Sequence, residues 1–259
     1  MERDGRLHYD VGADGLAELR LNHPRGNAIG GSMVEGLRRA FRDAEGDPAV
    51  RGVLLASDGR LFSPGLDLVE LAALDRGSMS EFMTRFSACV LQMYTFPKPV
   101  VAALRGPALA GGLVLALTAD WRVLADGARV GLNELRVGVP LPFGVSMILR
   151  EAVAGPRLEA AALFGRNYLG AVAVEVGLVH EVRPADDVDS AGRERLVEMT
   201  SKDARAFAIT KKYLRSATVE RFRAFDAQCL GEFLDGWFSP ETRLRIEGLV
   251  AELRAKHAG

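Results

Sequence analysis

Two short apolar runs constrain the fold of this chain more than anything else in it: Val53-Leu54-Leu55-Ala56 and Val100-Val101-Ala102-Ala103-Leu104. Neither alternates with polar residues, so each suits a strand covered on both faces. The stretches between them read as helices that supply the cover. Met33, Val34, Leu37, Ala40, Phe41 and Ala44 follow a 3.6-residue period, with Ser32 placed to cap the helix. Phe82, Met83, Phe86, Cys89, Val90 and Met93 do the same behind Ser80, up to the stop at Pro97. A half-buried strand, Leu16 to Leu21, precedes the first helix and ends in the turn residues Asn22 to Asn27. Beyond Gly106-Pro107 come a helix opened by Gly111-Gly112, a strand around Trp121 to Leu124 and a turn at Asp126-Gly127. Such alternation predicts an α/β fold.

From about Glu194 the spacing turns wholly helical, through Leu196, Met199, Phe207, Ile209, Tyr213, Leu214, Phe222, Phe225, Cys229 and Phe233 to Leu244, Ile246, Leu249, Val250 and Leu253. The expected organisation is a core over residues 1–193 and a helical segment over 194–259, packed on the core or on a neighbouring subunit. The 259 residues suffice for a sizeable core. With 33 Lys and Arg against 34 Asp and Glu, the balance gives no reason to expect a nucleic-acid or lipid surface. Cys89 and Cys229 form no CxxC pair and read as buried reduced thiols. The four histidines, His8, His23, His180 and His257, lack metal-ligand spacing, and no G-x-S-x-G surrounds Ser146. His180 reads as a strand end rather than a base. No signal-peptide core and no apolar run of about 18 residues is found, so the expected location is cytoplasmic.

Chemistry concentrates in two loops and one acid. The first loop is Phe62-Ser63-Pro64-Gly65-Leu66-Asp67-Leu68, and the second is Ala110-Gly111-Gly112, which begins the helix continuing Leu113-Val114-Leu115. The first N–H groups of a helix have no partner inside it and carry the positive end of its dipole. Two such loops can each aim one backbone N–H at a single oxygen, enough for an oxyanion hole. Glu134 follows 22 residues after Gly112, in Val130-Gly131-Leu132-Asn133-Glu134, as a candidate base beside that anion site. Taken singly, the glycines could simply make tight turns, and Glu134 could be a helix-start carboxylate.

Together with the turn Arg105-Gly106-Pro107, these stretches resemble the enoyl-CoA hydratase/isomerase (crotonase) family over nearly the whole chain. The resemblance implies a crotonase-like spiral of repeated ββα units with a helical C-terminal trimerisation segment, assembled as a homotrimer or homohexamer. It implies Leu66 and Gly111 as the two oxyanion donors, with Ala110 standing where the family's run has a glycine. It implies acyl-CoA substrates, coenzyme A being part of the substrate, and no metal or redox cofactor. Pro64 and Leu68 would contact coenzyme A. Arg25 either meets one of its phosphates or is an exposed turn arginine. Lys211, Lys212, Arg243, Arg245, Arg254 and Lys256 are further basic candidates, and solvated helix faces suit most of them. Val114, Phe86, Leu113, Pro140, Leu141, Pro142 and Phe143 are candidates for the acyl pocket or ordinary core.

One departure decides which member is expected. Hydratases of the family hold water between two glutamates, and the first falls here on Val114, 20 residues before Glu134. Valine cannot activate water. A 3-enoyl thioester needs only a proton moved from C2 to C4, which one carboxylate can do. The pattern is similar to the mitochondrial-type Δ3,Δ2-enoyl-CoA isomerases, which also keep only the later glutamate. Other enolate chemistry on thioesters (hydration, lyase or decarboxylase reactions) and a non-catalytic acyl-CoA-binding subunit stay open. Asp67 and Asp120 read as structural acceptors, and Glu70 and Glu81 as solvated helix residues.

Overall fold

A computed structural model describes residues 2–3, 7–153 and 155–258, with side chains from Leu7 to Ala255 apart from residue 154. Lys256 and His257 thus lie outside the described side chains. The strands are β1 (Glu2–Arg3), β2 (Leu7–Val11), β3 (Leu16–Leu21), β4 (Gly52–Ser57), β5 (Val100–Leu104), β6 (Ala108–Leu109), β7 (Trp121–Ala125), β8 (Arg129–Gly131), β9 (Tyr168–Leu169) and β10 (Glu181–Arg183). The helices are α1 (Gly31–Gly46), α2 (Leu68–Leu71), α3 (Arg76–Thr95), α4 (Gly111–Leu117), α5 (Phe143–Ala152), α6 (Arg157–Leu163), α7 (Gly170–Val176), α8 (Val188–Thr200), α9 (Ala204–Trp237) and α10 (Pro240–Ala258).

Strand order in the large sheet is β1-β2-β3-β4-β5-β7-β10, antiparallel up to β3 and parallel from there on. The apolar runs at 53–56 and 100–104 are its buried central strands, with α8 packed across β4, β5 and β7. A second, shorter layer pairs β6, β8 and β9, and two isolated bridges, Ile29 to Leu66 and Ser63 to Ala108, extend it. Successive passes of the chain therefore repeat one unit: a strand in the large sheet, a short extended piece in the small layer, then a helix. β3, Ile29 and α1 make one such unit; β4, the 63–66 loop and α2–α3 another; β5, β6 and α4 a third; β7, β8 and α5 a fourth. This is the expected α/β spiral of ββα units.

Helix starts differ from the expected ones. α1 begins at Gly31, and the Glu70 carboxylate accepts the Gly31 N–H at 2.8 Å, so Glu70 caps a helix instead of standing in solvent. α3 begins four residues before Ser80, capped by Asp75 through the Ser78 N–H at 2.7 Å. The first cap comes from 39 residues away and the second outcompetes a serine, because an acid accepting a backbone N–H is the stronger bond. The helical C-terminal segment starts at Val188, ahead of 194, since α8 is needed to cover the sheet. Among the described residues no helix is long and apolar enough to cross a membrane.

Candidate active site

The small layer is what aims the first loop. Ile29 N–H donates to the Gly65 carbonyl at 2.8 Å, and Asp67 N–H donates to the Ile29 carbonyl at 2.9 Å. In an extended strand successive N–H groups point to opposite edges. With Asp67 bonded toward Ile29, the Leu66 N–H is directed the other way, and no described backbone group takes it up. Asp67 locks the turn further: its buried carboxylate accepts the N–H groups of Val69 and Glu70, both at 3.1 Å, as expected of a structural acceptor.

The second loop lies against the first at van der Waals distance. A Cβ on Gly65 would meet Gly111 N at 3.1 Å, and one on Gly111 would meet Leu66 N at 3.5 Å. The two N–H groups thus sit side by side, and Gly111 opens α4 with no intrahelical acceptor of its own. Gly112 has no alternative, because a Cβ there would fall 2.3 Å from the Ser63 carbonyl oxygen. Ala110 is less comfortable: its φ of 47° and ψ of −127° belong to glycine's territory. It is held there by its N–H bond to Gly131 at 2.8 Å and by the Val114 N–H, which reaches its carbonyl at 3.1 Å.

Pro64, Leu66, Leu68, Gly111, Val114 and Glu134 all border one cavity of about 590 Å³. Phe86, Pro140 and Pro142 line it as well, while Leu113 and Leu141 do not. Phe143 is a correction: the Gly144 N–H bond to Asp226 at 2.7 Å sets the start of α5, and the Phe143 ring packs on Phe225 at 5.7 Å instead. Arg25 does not border the cavity either, since it pairs with the buried Asp67 carboxylate at 2.7 Å. Lys211 is buried and committed to Asp120 at 2.7 Å, which removes it from the phosphate candidates. Arg245 does reach the cavity, on α10.

Glu134 starts a short 3-10 helix, Glu134–Val137, closed by Gly138 in the left-handed region. Val139 N–H bonds the Glu134 carbonyl at 3.2 Å, and the Thr242 hydroxyl of α10 holds the Gly138 carbonyl at 3.1 Å. The side chain is half-buried, and its Oε2 is shielded from water with no hydrogen-bond partner. Desolvation pushes its pKa up to about 7. Val114, 2% exposed, occupies the first turn of α4 on the same cavity. The other acid on that lining is Glu252, exposed on α10. His180 takes no part: its Nδ1 accepts the Arg122 backbone N–H at 3.0 Å, its ring stacks on Trp121, and burial pulls its pKa down to about 3.

Missing from the sequence reading were the walls built by distant helices: Met83 of α3, Phe233 and Trp237 of α9, and Leu244 and Leu249 of α10. All but Trp237 were legible as apolar helix positions, but nothing local says which cavity a helix a hundred residues downstream will close.

The chain belongs to the enoyl-CoA hydratase/isomerase family, whose model matches residues 12–236. It is 30% identical over 229 residues to the mitochondrial enoyl-CoA delta isomerase 1 of Mus musculus, covering 86% of this chain and 79% of that protein. The human mitochondrial delta3-delta2-enoyl-CoA isomerase structure superposes with a TM-score of 0.92 at 26% identity, covering 97% of this chain and 99% of that one. An enoyl-CoA hydratase structure from Mycobacterium avium also matches, with a TM-score of 0.85 at 26% identity and coverage of 96% and 98%. The fold is the crotonase fold, shared by isomerases and hydratases alike.

Proposed function

We propose that the chain is a Δ3,Δ2-enoyl-CoA isomerase with Glu134 as its single acid and base. The observation that carries this reading is the pairing of Glu134, one of whose carboxylate oxygens is shielded and without a hydrogen-bond partner, with a buried apolar Val114 on the same cavity. As carboxylate, Glu134 takes a proton from C2 of a 3-enoyl thioester. The electron pair joins C1 and C2 in a dienolate and charge builds on the thioester oxygen, which the Leu66 and Gly111 N–H groups receive, until protonation at C4 places the double bond at C2–C3. Glu134 then returns the proton to C4, leaving the mass of the substrate unchanged. A pKa near 7 suits a group that must both take and give a proton at neutral pH.

A trans-3-enoyl-CoA assay tests the reading directly. Glu134→Gln, folded as judged by circular dichroism, should lower kcat by about 10²–10⁴-fold. In the native protein kcat/KM should fall as pH drops through about 7, because the free carboxylate is the working base. Vigorous hydration of crotonyl-CoA by the native protein would overturn the assignment within the family. A homotrimer or homohexamer is part of the same proposal, supported by the exposed apolar side chains Phe164, Tyr213 and Leu214; light scattering showing a monomer at micromolar concentration would contradict it.

A further inference from the structure

The cavity bordered by Glu134 has an open and a closed side. Arg136, Arg245 and Glu252 are exposed, whereas Met83, Phe86 and Phe233 are buried. Resting on the acyl-CoA reading above, the phosphate-bearing coenzyme A must stay at the open side, because charge is costly to bury. The acyl chain then runs toward Met83, Phe86 and Phe233, where α3 meets α9.

The space between those helices continues past the cavity. α3 and α9 run antiparallel, with Arg76 pairing Asp235 at 2.6 Å near one end and Arg215 lying over the Tyr94 ring at 4.2 Å near the other. On α9, Phe233 and Trp237 line the cavity, and the preceding turns, through Phe222, Asp226 and Leu230, line a second space of about 190 Å³. On α3 the two spaces part at Met83. Phe86, three residues on, borders the cavity, while Ser87 and Leu91, four and eight residues on, border the second space. Met83 borders both. It is 1% exposed, so its side chain stands as a packed partition between them. The second space is a groove open to water, since Thr84, Ala88 and Ala227 on its rim are exposed.

We propose that Met83 sets the acyl-chain length this protein accepts: the chain extends into the cavity until its end meets the Met83 side chain, and the α3–α9 groove beyond is closed to it. Each methylene buried on the near side tightens binding about 4-fold. Further carbons turn back toward the open side and gain nothing, because a close-packed wall does not yield to admit them. A smaller side chain at position 83 joins cavity and groove into one channel.

Saturated acyl-CoA ligands of increasing length test this without turnover. Calorimetry on the native protein, from butyryl-CoA to palmitoyl-CoA, should show affinity climbing and then levelling at one length. Met83→Ala, or Met83→Val if the alanine variant does not fold, should move that plateau to longer chains. The first even-numbered homologue past the native plateau should gain about 10-fold. Ser87→Phe fills the groove beside the partition: added to Met83→Ala it should restore the native plateau, and alone it should change nothing. A native profile that climbs to the longest chain overturns the proposal. So does weakening of long chains by Ser87→Phe alone, because the chain would then already pass Met83. Neither of these outcomes depends on a folded variant at position 83. An unmoved plateau in the folded Met83 variant overturns the proposal too, as does a longer plateau that survives Ser87→Phe. If the plateau moves as expected but no 3-enoyl-CoA is isomerised, the isomerase reading fails and this inference stands. Binding of no acyl-CoA at all would overturn both.

Discussion

Two carboxylates shielded from solvent in part, Asp120 and Glu134, are treated in opposite ways by the same fold. Asp120 accepts the Val100 N–H at 2.8 Å and is clamped by Lys211 at 2.7 Å and Arg215 at 2.8 Å. Every one of these partners is structural: they tie the start of β5 and the helix α9 to the end of α4. Glu134 has an oxygen with no partner and a pKa lifted to about 7. A satisfied acid holds elements together. An unsatisfied one is held by the backbone around it, through the Val139 and Thr242 bonds, and keeps its charge free to change. Arg122 repeats the first pattern with a cation, its buried guanidinium donating to the carbonyls of Leu178, Ala119 and Gly177.

The comparison breaks most visibly at Asp120. Asp120→Ala strands Lys211 and Arg215 in a buried site and should cost about 3–5 kcal/mol, read from urea unfolding. A loss below about 1 kcal/mol would mean that the cluster is not what ties α9 to the core. Glu134→Gln should move stability the other way, and only at high pH. The folded pKa of Glu134 lies above its unfolded value near 4.5, so the folded state binds more protons between those values and stability falls as pH rises through them. Removing the charge should therefore stabilise the protein by at most about 3 kcal/mol at pH 8 and by almost nothing at pH 4. A pH-independent effect would place the raised pKa elsewhere. Smallest of the three is Ala110→Gly. Relief of strain of about 1–3 kcal/mol, set against about 0.5–1 kcal/mol of glycine entropy, leaves a net gain of about 1 kcal/mol. Thermal unfolding measures it, and a net loss would show that the alanine methyl packs better than its φ of 47° suggests.

Much of the fold was legible because its signals are local. The unbroken apolar runs became β4 and β5, and the periodic positions of α1 are the six residues it buries. The site was half legible for the same reason. Gly65, Gly111 and Gly112 advertise close approach of backbone, and Glu134 stands at a fixed distance along the chain. What Phe143, Arg25 and Lys211 pack against or pair with was not legible, because their partners Phe225, Asp67 and Asp120 are not neighbours in sequence. Glu70 hid its capping of α1 in the same way.

What the chain determined by itself is therefore chemical: which groups are present, two glycine-opened loops, one acid, and a valine where a second acid would stand. Which of those groups meet was decided only on folding. The small layer of bridges turns the Leu66 N–H toward Gly111, and α9 and α10 return to close the cavity with Phe233, Trp237 and Leu249. Desolvation is a property of the surroundings and not of the residue. Glu134 is lifted to about 7, and the indole of Trp237 is left without an acceptor, only once distant helices have excluded water from both.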